Sequence, residues 1–313
     1  MRIKIVSIIL LSGLFLMNPC KSFAAFSADS SFMLKVYEDS MKSLQYVRIY
    51  ARTDREKDTA NEKLFNWMKK ALLLPGSFIY PFDSLKTIGI IISPDKQFRI
   101  ITWDVPKSGC AFGYYGFVQS YNTAKKKYDL FVLEDHTADI ANPKTAICTP
   151  NKWLGMLYYK IIKEKGSKFY TLLAWQGYNK MITCKVIDAL TFNTQGIPSF
   201  GKAIYSKLPA TFKGNPKRVI FEYSAQVAMS LRYDEAKNRI IFDHLGPMED
   251  GLEGQYQYYG PSFQLDALQW INGTWSYVEN VEERNPSDKE DPLFNDPKHP
   301  TTNQNNKTIY TPH

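Results

Sequence analysis

The sequence predicts a mainly β protein: antiparallel meander sheets, either propeller-like or one large folded sheet, with an N-terminal α-helical segment. Three observations carry this. Apolar residues recur every third or fourth position from Asp29 to Leu74, the spacing changes to two after Pro81, and the alternating segments are joined by turns too short for a parallel return.

The chain opens on a secretory signal peptide, residues 1–24. Arg2 and Lys4 form a basic start, Ile5 to Met17 is apolar, Asn18-Pro19 breaks the run, and Ser22-Phe23-Ala24 has the small-x-small form of a cleavage site. At about 13 residues the apolar stretch falls short of the roughly 20 that span a bilayer, and no later run reaches that length. The expected location is the periplasm or the medium. A lipid anchor through Cys20 is the alternative, and it fits less well because Pro19 replaces the small residue such a site prefers.

Without the leader roughly 289 residues remain, enough for one large or two small domains. Arg2, Lys4 and Lys21 leave with it, so the net charge of +8 falls to about +5. The basic residues are spread along the chain and form no stripe interleaved with aromatics, which excludes a nucleic-acid partner.

In the helical segment, residues 25–75, Leu34, Tyr37, Met41, Leu44 and Val47 form one stripe, and Phe65, Met68 and Leu72 resume it before Pro75-Gly76. The polar stretch between them holds two possible capping boxes, Thr53 with Glu56 and Thr59 with Glu62. Two helices, or one long interrupted helix, are expected to pack by that stripe on the chain downstream of Gly76, with Trp67 and Met68 in the core.

The β domain, residues 76–281, is predicted to hold strands at 87–92, 98–104, 112–121, 129–134, 157–163, 169–175, 181–190, 218–223, 227–233 and 239–243. Two three-strand meanders are expected, one from Leu157 to Leu190 and one from Arg218 to Asp243. Asn272-Gly273 between Trp270 and Trp275 signals a tight hairpin, with the last strand ending near Val281. Residues 282–313 are poor in apolar side chains and read as a disordered tail.

Three cysteines lie beyond the leader. Cys110 and Cys148 are beside turn signals where a disulfide is accommodated, whereas Cys184 shares a strand face with Ile182 and Val186 and reads as a buried thiol.

Candidate chemistry is sparse. His299 and His313 fall in the tail, and the other two histidines come directly after aspartates at predicted strand ends, Asp135-His136 and Asp243-His244. If those ends met they would make a weak metal or acid/base site; the plainer reading is polar hairpin ends facing water. The segment Met248 to Pro261 is the stronger ligand-binding candidate. It gathers Glu249, Asp250 and Glu253 beside Tyr256, Tyr258 and Tyr259, and carboxylates next to exposed rings suit sugars. Ordinary packing of those tyrosines on a neighbouring strand is the competing reading. No phosphate, dinucleotide or nucleophile-elbow loop is present, and no cofactor is expected.

The hairpin Tyr170–Asn179, the stretch from Glu222 through Asp234 and Asn238 to Pro247, and Tyr259–Trp270 together resemble an exported, functionally uncharacterised protein family of Bacteroidota-type bacteria. The resemblance covers Pro75 to Val281 and implies a cell-envelope or secreted role with no assigned reaction. The expectation is non-catalytic binding of an envelope protein or glycan, with a carboxylate-dependent hydrolase of polymers as the alternative. The oligomeric state is left open.

Overall fold

The computed structural model describes residues 28–209, 212 and 214–282. The predicted signal peptide, Cys20 and the tail beyond Glu282 lie outside the described residues. No helix among those described is long and apolar enough to cross a membrane. The chain divides into two compact units. One takes the residues up to Ala141 with Cys148–Ile161 and Thr191–Phe200; the other takes Asn142–Ile147, Ile162–Leu190 and the chain from Gly201.

In the first unit the helical segment forms α1 (Ala28–Met41), α2 (Leu44–Tyr50) and α3 (Asp54–Leu72). The Thr53–Glu56 capping box is present: the Glu56 N–H donates to Thr53 Oγ1 (3.2 Å) and the Thr53 N–H to Glu56 Oε2 (3.1 Å). The Thr59–Glu62 box is not, because Thr59 is already inside α3 and donates to the Arg55 carbonyl. The predicted stripe holds on α1 and α3 and fails on α2, where Val47 is exposed and Gln45 and Arg48 are buried. The break between α1 and α2 shifts the phase, so the inward face of α2 is polar. Arg48 spans to the Thr87 carbonyl (2.6 Å) and to Asp104, and Gln45 reaches the Ser84 carbonyl (2.8 Å).

The helices pack on a four-stranded antiparallel sheet of β1 (Gly89–Ile92), β2 (Phe98–Pro106), β3 (Phe112–Asn122) and β4 (Lys127–Glu134), in that order. Leu34, Met41, Leu64, Met68 and Leu72 meet Ile101, Trp103 and Phe117 in one core, and the Trp103 indole finds its partner in Asn61 Oδ1 (2.7 Å). Trp67 packs at the rim with Tyr37 and Lys70. β5 (Leu157–Ile162) comes next, its Tyr158 N–H donating to Thr102 Oγ1 (3.2 Å).

The second unit sets two groups of strands across one core. β6 (Tyr170–Gly177) and β7 (Ile182–Phe192) form the expected hairpin. After β8 (Pro198–Phe200) and β9 (Tyr205–Lys207), β10 (Val219–Ser224) pairs antiparallel with β7. The other group orders β11 (Leu231–Asp234), β12 (Arg239–Pro247), β13 (Tyr259–Ile271) and β14 (Thr274–Val278), then β9, which joins β14 in parallel. None of the sheets is closed.

The meander expected from Arg218 to Asp243 is therefore not one. Val219, Phe221 and Tyr223 line the core from one side, while Leu231, Ile240 and Phe242 line it from the other, with the Phe221 and Phe242 rings 4.7 Å apart. A chain that supplies both walls of a core has to change sheets between β10 and β11. The Asn272-Gly273 hairpin forms as predicted, with φ of 49° and 83° at its two central residues, as a type I′ turn requires. Its second strand ends at Val278, short of the expected Val281.

Candidate functional site

The 248–258 segment joins β12 to β13 beyond the closing pair Pro247 and Tyr259. Glycines at φ 85° (Gly251) and 80° (Gly254) turn the chain. Glu249, Asp250 and Glu253 are all exposed, and among the described residues none is held by a hydrogen bond or ion pair. The tyrosines divide. The Tyr256 and Tyr259 rings meet edge to face at 5.1 Å and Tyr259 Oη accepts the Gly254 N–H (2.9 Å), so these two hold the loop in shape, whereas Tyr258 projects into solvent.

Neither Asp-His pair converges: Asp243 and His244 are neighbours within β12, whose successive side chains point to opposite faces, while Asp135 and His136 lie just past the end of β4 and go to separate partners. Asp135 accepts the Tyr114 N–H (3.0 Å), the Thr137 N–H (3.0 Å) and the Thr137 hydroxyl (2.6 Å). His136 turns instead to Asp139 on the surface, 2.8 Å away. Asp243 accepts the Ser230 N–H (2.7 Å) across to the start of β11. Neither aspartate bonds to the histidine beside it. Among the described residues no three His, Cys, Asp or Glu side chains converge to hold a metal ion.

His244 has a different partner, one that periodicity did not single out. Its Nδ1 lies 2.7 Å from Oδ2 of Asp266, which also accepts the Tyr277 hydroxyl (2.7 Å). The other oxygen, Oδ1, accepts Gln264 Nε2 (2.9 Å) and the Asn280 N–H (3.0 Å). Asp266 sits directly opposite Phe242 in the ladder and is buried. Burial pushes its carboxyl up, but the hydrogen bonds from Asn280, Tyr277, His244 and Gln264 outweigh this and hold it below the usual aspartate range. An ionised carboxylate only accepts, so His244 donates to it through Nδ1–H. Burial and, after it, the contact with Asp266 push the Tyr277 hydroxyl up.

The ladder around this cluster is irregular. Asp243 pairs with Leu265 and Leu245 with Pro261, so Ser262, Phe263 and Gln264 stand opposite His244 alone. That bulge turns Gln264 toward Asp266 and puts Phe263 at φ 62° with its side chain fully in solvent. Bulges of this kind commonly re-aim side chains beside functional sites. The sequence signal for Asp266 is its place in the buried phase of β13, two residues before core Leu268; a carboxylate in that phase needs donors around it.

Cys184 is buried and unbridged, as expected, on β7 between Gln176 and Glu222. Burial, with the charge of Glu222, pushes its thiol up to about 12. Cys148 is buried where its backbone pairs with Phe200. The Cys110 side chain lies outside what the structure describes, so the expected Cys110–Cys148 bridge is carried no further.

Compared with known proteins, the chain matches no protein-family model and no curated protein sequence.

Proposed function

We propose that the chain is an exported cell-envelope or secreted β protein that binds a glycan without catalysis, through the arm formed by β12 and β13. The observation that carries this is Phe263. A phenylalanine left wholly in water forgoes roughly 2 kcal/mol of burial, and a non-glycine residue at positive φ costs about 1 kcal/mol more. Among the described residues nothing covers the ring, and stacking on a ligand would return that cost. Tyr258 is exposed on the same hairpin, and Glu249, Asp250 and Glu253 supply acceptors for sugar hydroxyls. Rings that stack on sugar faces beside oxygen acceptors form the usual chemistry of carbohydrate recognition.

Affinity electrophoresis through gels containing soluble polysaccharides tests this reading. The wild-type chain should be retarded by at least one glycan, and the Phe263→Ala, Tyr258→Ala double variant should run free with its melting temperature nearly unchanged. Equal retardation of both, or none by any glycan, would count against glycan binding.

A second reading, a hydrolase acting on polymers, draws on the His244–Asp266 pair. A buried carboxylate orienting an imidazole is half of an acid/base device. It ranks second because, among the described residues, the His244 side chain is hydrogen-bonded to Asp266 and to no hydroxyl or thiol that would serve as nucleophile. Release of reducing sugar by the wild-type chain but not by His244→Gln would promote it.

A further inference from the structure

The first sheet carries a groove on the face turned away from the helices. In the ladder of β3 with β4, Val118, Ser120 and Asn122 stand opposite Phe131, Asp129 and Lys127 and share one face with them, while Leu130 and Val132 point the other way, into the helix-side core. At the end of β7 the Phe192 ring packs 5.1 Å from Phe98, which stands opposite Ser120 on that same face. The turn after Phe192 is thereby laid over the sheet beside Asn122; a Cβ on Gly196 would come to 4.0 Å from Asn122 Nδ2. Between sheet face and turn lies a groove of about 630 Å³, within the range of sites for small organic ligands. Both walls belong to the first unit.

The turn is fixed by its own hydrogen bonds. Asn193 Oδ1 accepts the N–H groups of Gln195 and Ile197 at 2.9 Å, and the Gly196 N–H returns to the Asn193 carbonyl at 2.9 Å. It presents Ile197 and the exposed side chains of Thr194 and Gln195, which among the described residues make no hydrogen bond. The sheet presents Asp129 and the half-buried ring of Phe131. Burial raises the Asp129 carboxyl, but hydrogen bonds from Asn122 and Lys125 outweigh that and keep it ionised. Lys125 Nζ lies 3.1 Å and 3.0 Å from its two oxygens, so the two charges balance. Among the described residues Oδ1 accepts from Lys125 alone and keeps a lone pair for a further donor. Lys127 shares this face but does not line the groove.

This lining selects for a neutral ligand. A cation gains little from Asp129 and an anion little from Lys125, because each charge is already met by the other. A wholly apolar molecule would cover the Thr194 hydroxyl, the Gln195 amide and the Asp129 lone pair without partners. What satisfies all of them is an uncharged molecule with an apolar face for Phe131 and Ile197 and several hydroxyls that both donate and accept. We propose that the groove is a binding site for a short neutral saccharide, one sugar ring lying on Phe131, with hydroxyls donating to Asp129 and exchanging hydrogen bonds with Thr194 and Gln195. It is made of residues separate from the β12–β13 arm, and neither reading depends on the other.

The test is saturation-transfer difference NMR with glucose, galactose, N-acetylglucosamine, cellobiose and maltose, on the full chain carrying Phe263→Ala and Tyr258→Ala so that the arm contributes nothing. At least one of these sugars should bind saturably, with a Kd of roughly 10 mM, too weak to hold a chain in a dilute polysaccharide gel. Adding Thr194→Ala and Gln195→Ala, both at exposed positions of the turn, should weaken that binding roughly threefold or more, and Phe131→Ala roughly tenfold. Glucosamine and glucuronate, both charged at about pH 6, should bind more weakly than glucose. Unchanged binding by the Thr194→Ala, Gln195→Ala variant, tighter binding of either charged sugar, or no saturation by any of the neutral sugars up to roughly 100 mM would overturn the proposal.

Discussion

His136 and His244 make nearly the same contact and live in different chemistry. Each places Nδ1 against an aspartate, at 2.8 Å and 2.7 Å, and the two imidazoles are almost equally exposed, at 40% and 41%. The carboxylates differ. Asp139 is 65% exposed on a short turn, three residues from its histidine; Asp266 is 2% exposed, comes from another strand, and accepts four hydrogen bonds. In water the first pair competes with solvent for each bond and is worth little. The second sits where solvent has been removed and every lone pair has a donor, so its geometry is set before any ligand arrives. The lesson is that a His–Asp distance says nothing by itself; the burial of the carboxylate and its count of donors decide whether the pair is a surface contact or a site.

The largest expected effect breaks the comparison directly. Asp266→Ala strands the Tyr277 hydroxyl, the Gln264 amide and the Asn280 N–H, and should destabilise the second unit by about 3 kcal/mol, whereas Asp139→Ala should stay within about 0.5 kcal/mol of wild type. Urea denaturation of both variants measures this, and similar losses in the two would erase the distinction.

Acid should act along the same line. The folded pKa of Asp266 lies below its unfolded value, so its contribution to stability is complete above about pH 4 and is lost as pH falls through the folded value. Denaturation midpoints of wild type and Asp266→Asn should therefore converge as the pH is lowered from 6 toward about 3. A gap that stays constant would show that the carboxylate's charge is not what matters.

Smaller changes sharpen the picture. Tyr277→Phe removes one of the four donors while keeping the ring against Phe242, and should cost about 1 kcal/mol. Phe263→Asn should go the other way. Asparagine tolerates positive φ, so relief of strain should stabilise the chain by about 0.5 kcal/mol, in exchange for weaker retention by glycan gels. A destabilised Phe263→Asn variant would mean that this ring packs in solution and is not held out for a ligand.

Much of the architecture was legible because it rests on local rules. The change of period after Pro81, the Thr53 capping box and the Asn272-Gly273 turn each depend on residues a few positions apart, and each appears where the pattern puts it. The polar inner face of α2 was not legible. Gln45 and Arg48 are ordinary surface residues by type, and only the carbonyls of Ser84 and Thr87 and the side chain of Asp104, far along the chain, make their burial tolerable.

At the site the division is the same. The sequence by itself determined that His244 comes after a strand core, that carboxylates and tyrosines gather between Glu249 and Tyr259, and that Cys184 alternates inward. Tertiary structure decided that His244 faces Asp266 and not Asp243, that Phe263 is held out in water, and that β10 leaves β11 for β7. The physical reason is range. Propensity, capping and alternation act within a turn of helix or a few strand residues, whereas strand partners and the donors around a buried charge are chosen by which distant surfaces can exclude water together.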